Sequence, residues 1–219
     1  MYLTRLKIDP LNRNTMRALA EPKYFHGAIE RGLAGERRQR SLWRIDRLEE
    51  AYYLLLVSAE RPDLSAAARQ FGFPSAVPLW ETRDYEPHLR RIQDESRWHF
   101  RLTANPTKHL SGDPGSKIRG RVAAHATAKH QQQWLMDKAP QYGFTLNADE
   151  FLAVSEQWHR FQKPAEGSRP VSFLSVTFEG TLTVTDAELF RNTLTQGIGR
   201  AKAYGMGLLT VVRIGDRHE

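Results

Sequence analysis

Gln196-Gly197-Ile198-Gly199-Arg200-Ala201-Lys202-Ala203-Tyr204-Gly205-Met206-Gly207-Leu208-Leu209-Thr210 is the stretch on which the fold turns. Its four glycines, one arginine and one lysine stand between a predicted helix and a predicted strand. Glycine admits φ > 0 and close backbone approach, so successive N–H groups can converge on one anion. Arg200 and Lys202 add the matching charge. Two nucleotide-binding patterns fail here. A dinucleotide fingerprint from Gly197 needs a third glycine where Lys202 stands, and it must follow a strand and open a helix. No Gly-Lys-Ser/Thr triplet completes a phosphate-binding Walker loop. The residues alone leave two readings open, a plain helix-to-strand turn or a phosphate cradle.

Upstream of the loop, Thr185-Asp186-Ala187-Glu188 reads as a capping box for a helix carrying Leu189, Phe190 and Leu194. Before it, segments 151–161 and 171–184 read as a long hairpin. Leu174, Val176, Phe178, Leu182 and Val184 keep period two, with Gly180 marking a bend or bulge. A crossover helix is expected over 127–138, preceded by a strand from Arg97 whose Trp98, Phe100, Leu102 and Ala104 face inward. The order is strand, helix, strand, strand, helix, strand. The N-terminal half repeats it. A strand over 2–8 is followed by a short helix over 14–20 and by a second one opened by Pro22, with Phe25, Ile29 and Leu33 at i, i+4, i+8. Strands over 42–45 and 51–57, a helix capped by Asp63 and a weak strand over 79–85 complete it. The expectation is an α+β chain of two tandem ferredoxin-like (RRM-like) domains, over 1–92 and 93–219.

A chain of 219 residues is long enough for either one large core or two small ones. Lys and Arg outnumber Asp and Glu by 32 to 25, for a net charge of +7, which favours a polyanionic partner. The absence of cysteine excludes disulfides, thiolate catalysis and Cys-ligated zinc. No apolar run is long enough to span a membrane and no signal-peptide core is visible, so a cytoplasmic protein is expected. His125 and His130 are spaced i, i+5 instead of the i, i+4 of a helical metal pair, and neither a metal site nor a cofactor is expected.

Five segments in one order carry a resemblance: Met1-Tyr2-Leu3-Thr4-Arg5, the Pro-led helix with His26, Phe100-Arg101-Leu102-Thr103-Ala104-Asn105-Pro106-Thr107-Lys108, Phe178-Glu179-Gly180, and the glycine-rich loop. Together they resemble the CasE-type CRISPR-associated endoribonucleases of the repeat-associated mysterious protein superfamily. The likeness spans nearly the whole chain. It implies cleavage of CRISPR precursor RNA at each repeat, retention of the repeat hairpin, membership of the type I-E complex Cascade with its other subunits as partners, and His26 as the catalytic histidine. A monomer is expected outside that complex. Several relatives place a Tyr three residues before the histidine. Here that position is Lys23 and the tyrosine, Tyr24, is displaced by one, a rotation of about 100° on a helix. Lys23 and Tyr24 are therefore both candidate helpers.

Metal-independent cleavage needs a base for the 2′-hydroxyl, an acid for the leaving 5′-oxygen and a cation for the charge in flight. Histidine suits the first two and Lys or Arg the third. The remaining histidines are expected at the surface or against RNA. Candidate RNA contacts are Lys108, Arg119, Arg121, Lys129, Arg160, Lys163 and Arg169, together with Gly197, Gly199, Arg200, Lys202, Gly205 and Gly207 of the loop. Rival readings are a non-catalytic RNA-binding subunit of the same ribonucleoprotein and a basic enzyme acting on small nucleotides.

Overall fold

The computed structural model describes residues 1–33, 41–48, 50–73, 75, 77–110, 121–162 and 170–215. In the first unit β1 (Tyr2–Ile8) is followed by helices α1 (Arg13–Ala20) and α2 (Lys23–Gly32). Strands β2 (Leu42–Leu48) and β3 (Ala51–Ser58), α3 (Ser65–Phe71) and β4 (Glu81–Asp84) follow. The sheet order is β2-β3-β1-β4, antiparallel at every pairing, which is the ferredoxin-like arrangement.

A short helix α4 (Glu86–Leu89) leads to the second unit. There β5 (Arg97–Ala104), a small hairpin β6 (Thr107–Leu110) and β7 (Arg121–Ala124), and α5 (Ala128–Lys138) come first. Then come β8 (Phe144–Thr145), β9 (Phe151–Phe161), β10 (Val171–Val184), α6 (Ala187–Gln196) and β11 (Leu209–Arg213). Strand β10 pairs with β5, β9 and β8, and β5 pairs with β11. The order β11-β5-β10-β9 repeats the arrangement of the first sheet, so the chain is two tandem ferredoxin-like domains.

Local chemistry explains most boundaries. Asp63 caps α3 by accepting from Ser65 N–H at 2.9 Å, and Thr127 caps α5 from its side chain. Helix α6 is capped by Asp186, which accepts from Leu189 N–H at 2.9 Å, and not by Thr185, the cap residue of the expected box. The register shift in β10 lies between Thr177 and Phe178, short of Gly180. Gly180 instead lies against the backbone at Glu150 and Phe151, where a Cβ has no room.

The two units share a core. Leu42, Val57, Tyr85, Leu89 and Ile92 pack in one cluster with Trp98, Leu102, Phe178 and Leu209 of the second unit. This packing runs across the boundary expected at 92/93. Arg44, 2% exposed, supplies the polar half of the joint. Its Nε and Nη2 donate to Asp46 at 2.7 Å each, its Nη1 to the carbonyls of Arg101 and Leu208 at 2.8 Å, and Nη2 also to Thr210 Oγ1 at 2.8 Å. Every guanidinium N–H is thereby satisfied, the condition for burying a charge without a large penalty.

Candidate functional site

Helix α2 places its residues by its apolar face. Phe25 and Ile29 are 1% and 0% exposed, each burial contributing about 1.5–3 kcal/mol, and Leu33 packs half-buried behind them. One position after Phe25, about 100° around the helix, His26 turns to the edge of the buried face. Its side chain is 37% exposed, and Nδ1 lies 3.9 Å from Glu30 Oε1, one turn further on.

Facing α2 is the glycine-rich loop. Ile198 N–H donates to the Gly207 carbonyl at 2.9 Å and Gly207 N–H to Thr103 O, which closes the segment between them into a knot around the short turn Lys202–Tyr204. Three of its glycines are needed for packing. A Cβ at Gly197 would lie 2.7 Å from Leu42, one at Gly205 2.8 Å from the Trp43 ring, and one at Gly207 2.6 Å from Ile198 O. Gly199, with φ +77°, differs: a Cβ there would meet only the Trp134 ring at 3.5 Å. Leu42, Trp43 and Arg44 at the start of β2 thus hold the buried side of the loop, and its other side is left to face α2. Between them lies an open cleft of ≈ 1090 Å³ lined by His26, Glu30, Gly199, Arg200 and Lys202. Gly199 and Arg200 also line an adjoining cleft with His109, Trp134, Lys138 and Tyr142. An imidazole and two cations therefore share one solvent-open groove.

The profile of the CRISPR-associated protein family matches residues 1–213. The chain belongs to this family and is of the CasE type. It is 31% identical over 227 residues to CRISPR-associated endoribonuclease Cse3 of Thermus thermophilus, covering 96% of this chain and 99% of that protein. To Cascade subunit CasE of Escherichia coli it is 29% identical over 175 residues, 74% of this chain and 75% of the relative. Cse3 bound to a 19-nucleotide RNA superimposes with a TM-score of 0.78 at 27% identity, covering 97% of this chain and all of that one.

In this CasE-type chain Lys23 and Tyr24 are not among the residues that line the His26 cleft. Lys23 Nζ donates to the Gln162 carbonyl at 2.8 Å, pairs with Glu21 at 2.5 Å, and lies between the rings of Tyr24 and Phe161. It ties the start of α2 to the end of β9. Tyr24 lies under the Arg17 guanidinium at 4.3 Å and packs against the first core.

Among the predicted RNA contacts, Lys108 is exposed on β6, Lys129 on α5 and Arg160 on β9. Arg121 has its backbone in β7, paired with Leu110, and its side chain lies outside the described residues. Arg119, Lys163 and Arg169 lie outside them too. Gly199, Arg200 and Lys202 meet at the cleft, while Gly197, Gly205 and Gly207 are buried. His159 corrects the expectation of surface histidines. It is 7% exposed, stacks on Phe173 at 4.9 Å, and has Nε2 3.2 Å from Ser175 Oγ. Burial pushes its imidazole below the ordinary range, against the pull of the Ala20 carbonyl. Sequence reasoning passed over Glu30, although its i, i+4 spacing from His26 marks it as a neighbour. Among the described residues no cluster of side chains suited to a metal ion is found, and no helix is long and apolar enough to cross a membrane.

Proposed function

We propose that this chain is an endoribonuclease that binds the stem-loop of a CRISPR repeat in the cytoplasm, cuts the precursor RNA by internal 2′-hydroxyl attack without a metal ion, and keeps the product as part of a Cascade assembly. The observation that carries this reading is the shared cleft of His26, Arg200 and Lys202. A relative over nearly the full chain named as a CRISPR endoribonuclease, and one over 74% of it named as a Cascade subunit, support it. So does the likeness, at TM-score 0.76, to Thermus thermophilus Cse3 bound to an RNA representing a pre-cleavage complex.

In this mechanism His26 removes the 2′-hydroxyl proton, the 2′-oxygen bonds to phosphorus, and the P–O5′ bond breaks as the 5′-oxygen takes a proton from water in the open cleft. Arg200 and Lys202 offset the extra negative charge on the phosphoryl oxygens. The products are a 2′,3′-cyclic phosphate and a 5′-hydroxyl. Of the two helper candidates Lys23 is preferred because it stands one turn before His26 on α2; to act, its ammonium must leave Glu21 and the Gln162 carbonyl. The face of Tyr24 is already taken by Arg17. Exposed Lys108, Lys129 and Arg160, with Arg119, Arg121, Lys163 and Arg169, supply phosphate contacts along a stem, which is recognised chiefly by shape and backbone.

Incubation with repeat RNA in excess EDTA tests the reading. Site-specific cleavage to a cyclic-phosphate end is the expected result. A gel shift without cleavage would leave an RNA-binding subunit, and neither cleavage nor a shift would overturn both.

A further inference from the structure

Glu30 and the sealed edge of His26 carry an inference that rests on the cleavage reading and deepens it. His26 Nδ1 has no access to solvent and no hydrogen-bond partner, although the side chain as a whole is 37% exposed. An imidazole nitrogen enclosed in this way cannot exchange a proton with a substrate, which leaves Nε2 as the reactive atom. A buried polar atom without a partner is costly, and the acceptor in place to satisfy it is Glu30 Oε1 at 3.9 Å, on the same face of α2. Closing that gap to hydrogen-bond length takes a side-chain shift of about 1 Å.

We infer that Glu30 is a positioning residue: its carboxylate accepts Nδ1–H of His26, so that the Nε2 lone pair faces the 2′-hydroxyl. The proton then moves from the 2′-oxygen to Nε2, and the carboxylate stabilises the imidazolium so formed, as an aspartate does behind the histidine of a serine protease. Among the described residues that line the cleft, the other charged groups are Arg200 and Lys202 from the loop; on α2 and just before it, Arg31, Lys23 and Glu21 have partners of their own. Arg31 donates to Gln70 and Lys23 to Gln162. Arg200 and Lys202 are both cations, so among the described lining residues Glu30 is the carboxylate placed to accept the imidazole proton.

The same carboxylate stands in a cleft that must hold a phosphate, and it repels that phosphate. Binding and chemistry should therefore respond to its removal in opposite directions. In Glu30→Gln and Glu30→Ala the single-turnover cleavage rate of repeat RNA should fall about 10-fold or more, short of the 10²–10⁴ expected of the histidine itself. RNA affinity should hold or tighten. Nitrogen NMR of histidine-labelled protein at alkaline pH, without RNA, should show His26 in the Nδ1–H tautomer, and Glu30→Ala should lose that bias. An unchanged tautomer in Glu30→Ala, or a rate and an affinity that fall together, would overturn the inference. If the wild-type protein leaves RNA uncut, the cleavage reading falls, while the tautomer measurement still decides whether the carboxylate holds the ring.

Discussion

Arg44 and Arg200 meet the glycine-rich loop from opposite sides. Arg44 is buried with every N–H bonded, two of them to Leu208 and Thr210 just past the loop. Arg200 is exposed and lines two clefts. The glycines divide the same way. Gly205 gives the Trp43 ring its space, whereas Gly199 opens on the groove. One side of the loop joins the two ferredoxin-like units and the other side faces α2 and His26. Residue type does not distinguish the two jobs; packing does.

The largest expected effect is on the joining side. Arg44→Met leaves the buried Asp46 carboxylate and two carbonyls without their main donor, which should cost about 3–5 kcal/mol in urea unfolding. Arg101, 3.6 Å from Asp46, offsets part of this. Arg200→Met should stay within about 0.5 kcal/mol of wild type. Equal destabilisation of the two variants would erase the comparison.

Next come the glycines. Gly205→Ala and Gly199→Ala both force a side chain into a left-handed backbone, at φ +81° and +77°. That strain is about 1–2 kcal/mol in each. At position 205 the new methyl also strikes Trp43, which should add about 1–3 kcal/mol. Thermal melts of the two variants should therefore separate. The folded Gly199→Ala protein should lose RNA affinity instead, and affinity that holds there would make the whole loop a structural turn.

These contrasts also show how far sequence reaches. The bounds of β1 and β10 are legible because apolar side chains alternate along them, and α2 is legible because Pro22 opens it and Phe25 and Ile29 keep helical spacing. Helix α4 and the hairpin of β6 and β7 escape notice because four-residue elements leave too short a period to read. Arg44 escapes for another reason. A charged residue on a strand reads as solvent-facing, and its burial depends on Leu208 and Thr210, distant in the chain. The site divides similarly. His26, Arg200 and Lys202 stand out through resemblance and motif, but only the fold shows that the buried Gly197, Gly205 and Gly207 differ from Gly199.

A smaller effect concerns RNA binding. Arg200→Ala with Lys202→Ala should lower the slope of log K against log salt by roughly 0.7–0.9 for each phosphate that is no longer neutralised. An unchanged slope would show that neither cation touches the RNA.

The smallest effect separates the buried histidine from the one in the cleft. His159 is held below its ordinary value of 6.5 by burial. Above 6.5 the folded and unfolded rings are both neutral. As pH falls through 6.5 the unfolded chain gains a proton that the folded ring resists, so stability declines until the folded ring also titrates. Denaturant midpoints measured across this range should fall toward acid in the wild type and fall less in His159→Asn. Equal acid slopes would remove His159 as the cause.

The most direct test of the central claim is the single-turnover cleavage rate of His26→Ala on repeat RNA, with affinity measured on the same preparation. The account predicts a loss of about 10²–10⁴-fold in rate with affinity unchanged, because the ring acts on the reacting 2′-hydroxyl while binding rests on the distributed basic surface. Cleavage by His26→Ala at the wild-type rate would contradict it.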